Sequence, residues 1–147
     1  MDTTYKFTNI APVLLVNDIA KTTDFYVNKL GFKYAKNFNK TDNFAAIYRD
    51  SIEIILVQKI KGEIESNRVK YGNGFDVYIN IDSKESLNEF YMQCKSLNID
   101  IEEEPRMTDY GSLEFVFKDI DGRNIGVGLI LNHSNFFENS NYIHSSS

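Results

Sequence analysis

Two segments of the chain follow one pattern at an offset of 65 residues, and this repeat limits the fold more than any other feature of the sequence. At that offset Val16 aligns with Ile81, and the aromatic pair Phe25-Tyr26 aligns with Phe90-Tyr91. Each aromatic pair lies in a helical pattern that follows an apolar strand. Self-similarity at a fixed period indicates repeated structural units. The chain is therefore expected to contain two copies of one module.

Each copy predicts one helix and four strands. Asn17-Asp18 is a capping signal for a first helix, which Gly31 ends. Asp82 with Glu85 forms a capping box for a second helix, and Asn98 takes the role of Gly31. Alternating or apolar runs predict strands at 11–16, 32–38, 44–49, 52–57, 75–81, 99–103, 113–118 and 124–130.

Both copies therefore predict the order βαβββ, which is an α+β fold. One four-stranded sheet with one helix leaves its second face bare. The two modules are expected to form a cupped mixed sheet with helices on the outer face, within a single domain of residues 1–147. Its parts are module one at about 7–58, a linker at 59–74, module two at about 75–130 and a C-terminal tail at 131–147.

Charge and cysteine content narrow the classes of function. With 16 Lys and Arg against 21 Asp and Glu, the net charge of −5 argues against a nucleic-acid partner. Cys94 is the only cysteine, so no intrachain disulfide requires an oxidising compartment. The longest apolar run, 125–131, is far shorter than the roughly 18 residues of a membrane span. A soluble cytoplasmic protein with no membrane partner is expected.

Period-two alternation assigns side chains to the concave face, where a ligand is expected to bind. In strand 75–81 the odd-numbered residues, beginning with Phe75, are apolar and should face the helix. The same reasoning in strand 113–118 directs the phenylalanines to the core. The polar and apolar side chains assigned in this way to the concave face are Glu53, Asp76, Tyr78, Asn80, Glu114 and Val116.

A run of motifs resembles the vicinal-oxygen-chelate superfamily, which includes glyoxalases, extradiol dioxygenases, fosfomycin-modifying enzymes and bleomycin resistance proteins. The motifs are Pro12-Val-Leu-Leu-Val-Asn-Asp-Ile19, then Phe25-Tyr26, Leu30-Gly31-Phe32 and Asp119-Ile-Asp-Gly122. They span roughly residues 10–130. In the last of them, Ile120 stands where the family usually has proline.

The resemblance implies four metal-ligand positions, which fall here on Ala11, Glu53, Asp76 and Gly126. Ala11 and Gly126 carry no donor atom, and both histidines, His133 and His144, lie in the tail. No metal and no other cofactor is therefore expected. The alternative is a divergent lyase, isomerase or dioxygenase in which Glu53 and Asp76 hold a hard cation such as Mg²⁺ or Mn²⁺.

The remaining features resemble the metal-free bleomycin resistance branch, whose members are acidic dimers that sequester a cationic drug. The helix 89–99 looks much like the corresponding helix of that branch. This resemblance implies a non-catalytic homodimer that captures a small molecule of antibiotic type. It also implies that Phe44 stacks on the ligand, with Phe38 and Tyr48 close to it, while Glu53 and Asp76 pair with ligand amines.

Other interpretations of these residues remain open. Burial statistics favour core positions over stacking positions for Phe38 and Phe44, and Tyr78 and Asn80 are also consistent with solvated surface residues. Cys94 occurs at helical spacing with apolar residues, which is typical of packing. The acidic run 102–104 before Pro105 is expected to be a solvated loop edge. A scaffold without any small ligand is the third class of function.

Overall fold

The computed structural model describes residues 4–35 and 43–131, which form an α+β fold with two four-stranded mixed sheets. The chain divides into two compact units, Met1–Glu63 and Ile64–Ser147. The boundary between them lies inside the predicted linker. Each unit contains one βαβββ module, as the repeat predicts. Among the described residues, no helix is long and apolar enough to cross a membrane.

In the first unit the first strand pairs in parallel with the last, and the other neighbours are antiparallel. Across the sheet the strands lie in the order first, fourth, third, second. The predicted strand at 32–38 is reduced to two residues within the part of the chain that the structure describes. The elements are β1 Val13–Val16, α1 Ile19–Asp24, β2 Lys33–Tyr34, β3 Phe44–Arg49 and β4 Ile52–Gln58.

The first helical segment, residues 19–29, begins after Asp18 and ends before Gly31, as the sequence predicts. Asp18 caps it by accepting hydrogen bonds from the backbone N–H groups of Ala20 and Lys21. Gly31 follows it with a φ of 76°, a conformation that glycine adopts without steric cost. The sequence did not predict the π-helical turn, Phe25–Lys29, that continues α1. The buried face of this whole segment is the predicted one: Ile19, Thr22, Phe25, Tyr26 and Leu30.

The second unit repeats the arrangement. Across its sheet the strands again lie in the order first, fourth, third, second, with the first and last parallel. The first residues of the two main helices, Ile19 and Lys84, stand 65 positions apart. Phe115 and Phe117 are fully buried beneath α3, against Phe90. The elements are α2 Asn67–Tyr71, β5 Val77–Asn80, α3 Lys84–Ser96, β6 Ile101–Met107, β7 Ser112–Lys118 and β8 Asn124–Ile130.

One sequence prediction about a helix boundary in this unit is wrong. Ser83, not Asp82, caps α3, because its hydroxyl oxygen accepts a hydrogen bond from the Ser86 backbone N–H. The predicted linker contains the short helix α2, which Ser66 caps at the Val69 N–H. The prediction for Asn98 is confirmed, since its φ of 57° ends the α3 segment. Cys94 is fully buried in α3, as its spacing indicated.

The acidic run 102–104 forms part of edge strand β6 rather than a loop. Pro105 is tolerated there because an edge strand leaves backbone N–H groups outside the ladder, and the register shifts along this strand. Ion pairs hold the strand in place. Glu103 Oε2 lies 2.8 Å from Arg68 Nη1, and Glu103 Oε1 lies 3.2 Å from Arg106 Nε. The Arg68 guanidinium also lies over the Phe75 ring at 5.5 Å. Arg68 therefore ties the α2 segment to β6.

We expect Glu103→Gln to lower the free energy of unfolding at neutral pH by on the order of 1 kcal/mol, because Arg68 and Arg106 lose their anionic partner. The hydrogen bond from Arg68 holds the pKa of Glu103 below its ordinary value of 4.5. The stabilisation is therefore present above that value and is lost as the pH falls through the lowered pKa of the folded state.

Urea unfolding at neutral pH and at about pH 2.5 measures this effect, because the native and Glu103→Gln chains should converge at the acidic end. Glu89→Gln is the matched control, since Glu89 is exposed on α3 and belongs to none of the ion pairs. A stability difference that stays constant with pH would show that the ion pairs are not its origin.

Candidate functional site

In the first unit, three predicted ligand-binding side chains share one face of the sheet. Tyr48 and Glu53 are direct cross-strand partners between β3 and β4, and Phe44 lies opposite Val57 further along the same pair. All three are partly exposed. The alternate residues of β4, Ile54 and Leu56, are buried at 2% and 0% exposure. The predicted assignment of faces is therefore confirmed for this strand.

This face combines apolar, aromatic and acidic surface. Val13 and Leu15 of β1 are 53% and 42% exposed, whereas Leu14 and Val16 between and after them are buried. Glu53 takes part in none of the ion pairs formed by the described residues. The result is a partly exposed surface on which the Tyr48 ring lies next to the Glu53 carboxylate and the Phe44 ring lies further along the same strands. Phe38, which sequence reasoning assigned to the same site, lies outside the described residues.

In the second unit, a buried carboxylate is surrounded by hydroxyl groups. Glu114 is 2% exposed. The Tyr78 hydroxyl donates to its Oε2 at 2.8 Å, the Tyr110 hydroxyl donates to both oxygens at 3.1 and 3.2 Å, and the Ser112 hydroxyl donates at 3.3 Å. We call these four residues the Glu114 cluster. Burial together with the hydrogen bond to Glu114 raises the pKa of Tyr78, so this phenol stays protonated and acts as a donor.

Two glycines of β8 provide the space that the Tyr78 ring occupies. A Cβ atom at Gly126 would lie 2.8 Å from Tyr78 Cδ2 and 2.9 Å from Phe75 Cδ1. A Cβ atom at Gly128 would collide with the Tyr78 hydroxyl oxygen and approach Glu114 Cβ to 2.9 Å. The two rings pack edge to face with centroids 5.3 Å apart. Because Gly126 and Gly128 have no side chains, the Tyr78 ring can lie across β8.

Phe75 corrects one prediction from the alternation pattern. It was expected to face the helix with Val77, but its ring lies beside Gly126 and Tyr78, on the opposite face. The physical reason is that β5 begins only at Val77, so period-two alternation does not extend back to residue 75.

The other predicted residues of this unit differ in their surroundings. Asp76 accepts hydrogen bonds from the backbone N–H groups of Asn67 and Asn124, one on each carboxylate oxygen. It therefore joins the start of α2 to the start of β8. Asn80 is exposed at the end of β5, beside Gly128. Val116 is 1% exposed, so it belongs to the packed interior rather than to an open surface.

Sequence reasoning missed two members of the Glu114 cluster, Tyr110 and Ser112. Both come from the β6–β7 hairpin, where Gly111 has a φ of 84°. A signal was present, because Tyr110 precedes Glu114 by four residues across a glycine turn. This spacing alone does not predict a contact between the two side chains, because the contact depends on how the hairpin folds.

The residues at the four metal-ligand positions that the resemblance implied do not form a metal site. Ala11 has no donor, both oxygens of Asp76 are bonded to the backbone, and the space above Gly126 is filled by Phe75 and Tyr78. Within residues 4–35 and 43–131, no three His, Cys, Asp or Glu side chains are grouped as a metal site requires. Glu53 would be a single ligand, too few for Mg²⁺ or Mn²⁺ held by the protein.

Comparison with known proteins gives matches over most of the chain. The sequence profile of the Glyoxalase/Bleomycin resistance protein/Dioxygenase superfamily matches residues 8–127. No curated protein sequence matches the chain significantly.

Solved structures with the same fold are similar over more than four fifths of the chain. At 11–21% identity, such likeness shows the fold alone. Three of them are a glyoxalase/bleomycin resistance protein/dioxygenase from Alicyclobacillus acidocaldarius, lactoylglutathione lyase from Agrobacterium tumefaciens and a superfamily member from Sphaerobacter thermophilus DSM 20745. The Alicyclobacillus protein is 14% identical with a TM-score of 0.71, and the match covers 87% of this chain and 94% of that one. For the Agrobacterium protein the values are 15%, 0.64, 83% and 92%. For the Sphaerobacter protein they are 18%, 0.64, 84% and 98%.

We expect Gly128→Ala to destabilise the protein by about 1–3 kcal/mol, because the added methyl group displaces the Tyr78 hydroxyl from Glu114. In the native background, Tyr78→Phe costs about 1 kcal/mol, since Glu114 loses a donor. In the Gly128→Ala background the same change removes the colliding oxygen, so its cost should vanish or reverse. Chemical unfolding of the two single variants and the double variant measures this coupling. Additive effects would mean that the ring does not lie over Gly128.

Proposed function

Because the chain belongs to the glyoxalase/bleomycin resistance protein/dioxygenase superfamily, we propose that it binds and sequesters a small amphipathic molecule of antibiotic type, aromatic or cationic, without transforming it. In this respect it would act as bleomycin resistance proteins do. The observation that carries the proposal is the partly exposed face of the first sheet, where Tyr48 and Glu53 are cross-strand neighbours and Phe44 lies further along the same strand pair.

The chemistry of that face suits a ligand with a flat apolar part and a positive charge. An aromatic ligand gains from stacking or edge contacts with Phe44 and Tyr48, worth about 0.5–1.5 kcal/mol per ring pair beyond the burial of apolar area. Exposed Val13 and Leu15 extend the apolar surface. Glu53 supplies a carboxylate without an ion-pair partner among the described residues, which is available to a ligand amine.

The residues at the superfamily's metal positions support capture of a ligand rather than metal-dependent catalysis. Two of them, Ala11 and Gly126, lack donor atoms, and the second is covered by two rings. Asp76 serves the backbone, so the proposal does not depend on it. Homodimerisation, a cytoplasmic location and the absence of nucleic-acid and membrane partners belong to the same proposal. They stem from the family resemblance, the acidic charge and the single cysteine.

Bleomycin is the first probe of this proposal, titrated into the native chain by isothermal calorimetry. We expect Glu53→Gln to weaken its binding about tenfold, because a half-buried ion pair to a ligand amine is lost. Phe44→Leu should weaken it by a similar factor, since it keeps apolar bulk but removes the ring face.

Two matched variants control for charge and for aromatic content. Glu63→Gln removes one exposed carboxylate of the same unit, and Phe7→Leu removes a ring that is 97% exposed. Both should leave the affinity unchanged. Equal affinity in the native chain and Glu53→Gln would exclude the proposed role of this carboxylate, and absence of binding by the folded native chain would exclude bleomycin-like ligands.

We also expect the purified chain to retain no stoichiometric divalent metal. Protein equilibrated with Mn²⁺, Fe²⁺, Ni²⁺ and Zn²⁺ and then desalted should contain well below one equivalent of each by elemental analysis, because the residues at the superfamily's positions do not form a ligand set. One equivalent of metal that disappears in Glu53→Gln would instead favour a metal-dependent lyase, isomerase or dioxygenase, and turnover assays would follow.

A further inference from the structure

The Glu114 cluster contains a buried carboxylate that has no cationic partner among the described residues. Glu114 is 2% exposed, and it belongs to none of the ion pairs among the residues that the structure describes. A buried negative charge is unfavourable unless hydrogen bonds or an opposite charge compensate it. Here four hydrogen bonds from three hydroxyl groups supply the compensation, and the opposite charge is not provided by the described residues.

The hydroxyl groups determine what kind of cation can reach this carboxylate. Tyr78 and Ser112 both donate to Oε2, and Tyr110 donates to both oxygens. A small cation with a tight shell, such as a metal ion or a primary ammonium, gains most from direct contact with the oxygens, but Glu114 is 2% exposed and both of its oxygens already accept hydrogen bonds. A large cation with spread charge requires no such contact, because it interacts through the field of the carboxylate and through surrounding rings.

Two of the hydroxyl donors offer such rings to the solvent. Tyr78 is 37% exposed and Tyr110 is 50% exposed, although their hydroxyl groups point to a buried atom. An aromatic face attracts a cation through its quadrupole. A phenol that donates to a carboxylate is polarised toward greater electron density on the ring, which strengthens this attraction. The tyrosine rings and the Glu114 carboxylate therefore both attract a cation.

We propose that the Glu114 cluster is a recognition site for a bulky organic cation, of the quaternary ammonium or alkylated amine class, held on the faces of Tyr78 and Tyr110. This inference goes beyond the proposed function, because it concerns a separate set of residues in the second unit and a ligand class of its own. It assigns a role to Tyr110 and Ser112, which neither the sequence pattern nor the superfamily's metal positions indicate. Ser112 acts as a positioning residue through its hydrogen bonds to Glu114 and Thr108.

The test compares choline with 3,3-dimethylbutan-1-ol, which has the same shape but carries no charge. Both are titrated into the native chain while the tyrosine ring protons are followed by NMR. We expect the native chain to bind choline at least about tenfold more tightly than the alcohol, which corresponds to the 1.4 kcal/mol of a favourable cation–ring contact. The signals that shift should be those absent from Tyr78→Leu and Tyr110→Leu.

Glu114→Gln keeps the shape and the acceptor oxygen but removes the charge, so it should abolish the preference for choline over the alcohol. The matched control is Glu104→Gln, because Glu104 also accepts a hydrogen bond from a tyrosine, Tyr91, at 3.1 Å. That variant should retain the preference. Circular dichroism and thermal unfolding establish that each variant is folded. If Glu114→Gln fails to fold, Tyr110→Leu decides the question, since Tyr110 is half exposed in a turn and its loss should weaken choline binding alone.

The outcomes separate this inference from the proposed function. Equal affinity for choline and the alcohol, or an unchanged preference in Glu114→Gln or Tyr110→Leu, overturns the cation site. If bleomycin still binds in a Glu53-dependent manner, the proposed function stands without it. A preference for choline that depends on Glu114 supports the cation site. If bleomycin does not bind in the same experiments, the ligand is an organic cation of another class.

Discussion

Parallel pairing of the first and last strands is the constraint on which the rest of each module depends. In both modules it brings residues about 40 to 50 positions apart into register, as Val13 with Ile55 and Val77 with Ile125. The last strand becomes central, with the helix covering one face. The other face is then lined by alternate residues of three or four strands. Among the described residues, every candidate functional side chain lies on or beside such a face because of this pairing.

On that face the two modules have become different surfaces. In the first, aromatic and acidic side chains stand beside one another and remain partly exposed, which suits contact with a ligand. In the second, Gly126 and Gly128 allow Tyr78 to lie across the sheet and reach Glu114. A side chain at either position would exclude that ring. The same backbone thus supports an open surface in one module and a buried polar cluster with exposed rings in the other.

Much of the fold was predictable because it depends on local patterns. Asp18 and Gly31 bound the first helical segment, because the cap hydrogen bonds of Asp18 and the positive φ of Gly31 each depend only on residues close in sequence. The capping of α3 was predicted one residue early, since Asp82 and Ser83 are both good caps and the choice between them depends on the incoming chain. The helix α2 was missed because five residues without an apolar stripe give no periodic signal. The π-helical turn at Phe25–Lys29 likewise has no sequence signature.

The sequence by itself determined the duplication, the superfamily and the absence of donor atoms at Ala11 and Gly126, because these follow from residue identity and spacing alone. Only the tertiary structure decided what surrounds each carboxylate. Asp76 and Glu114 both alternate with apolar residues, yet one bonds to backbone N–H groups and the other to three hydroxyls. The partners of Glu114 come from β5, from the β6–β7 turn and from its own strand. Chemical environment depends on groups distant in sequence, and only folding brings these together.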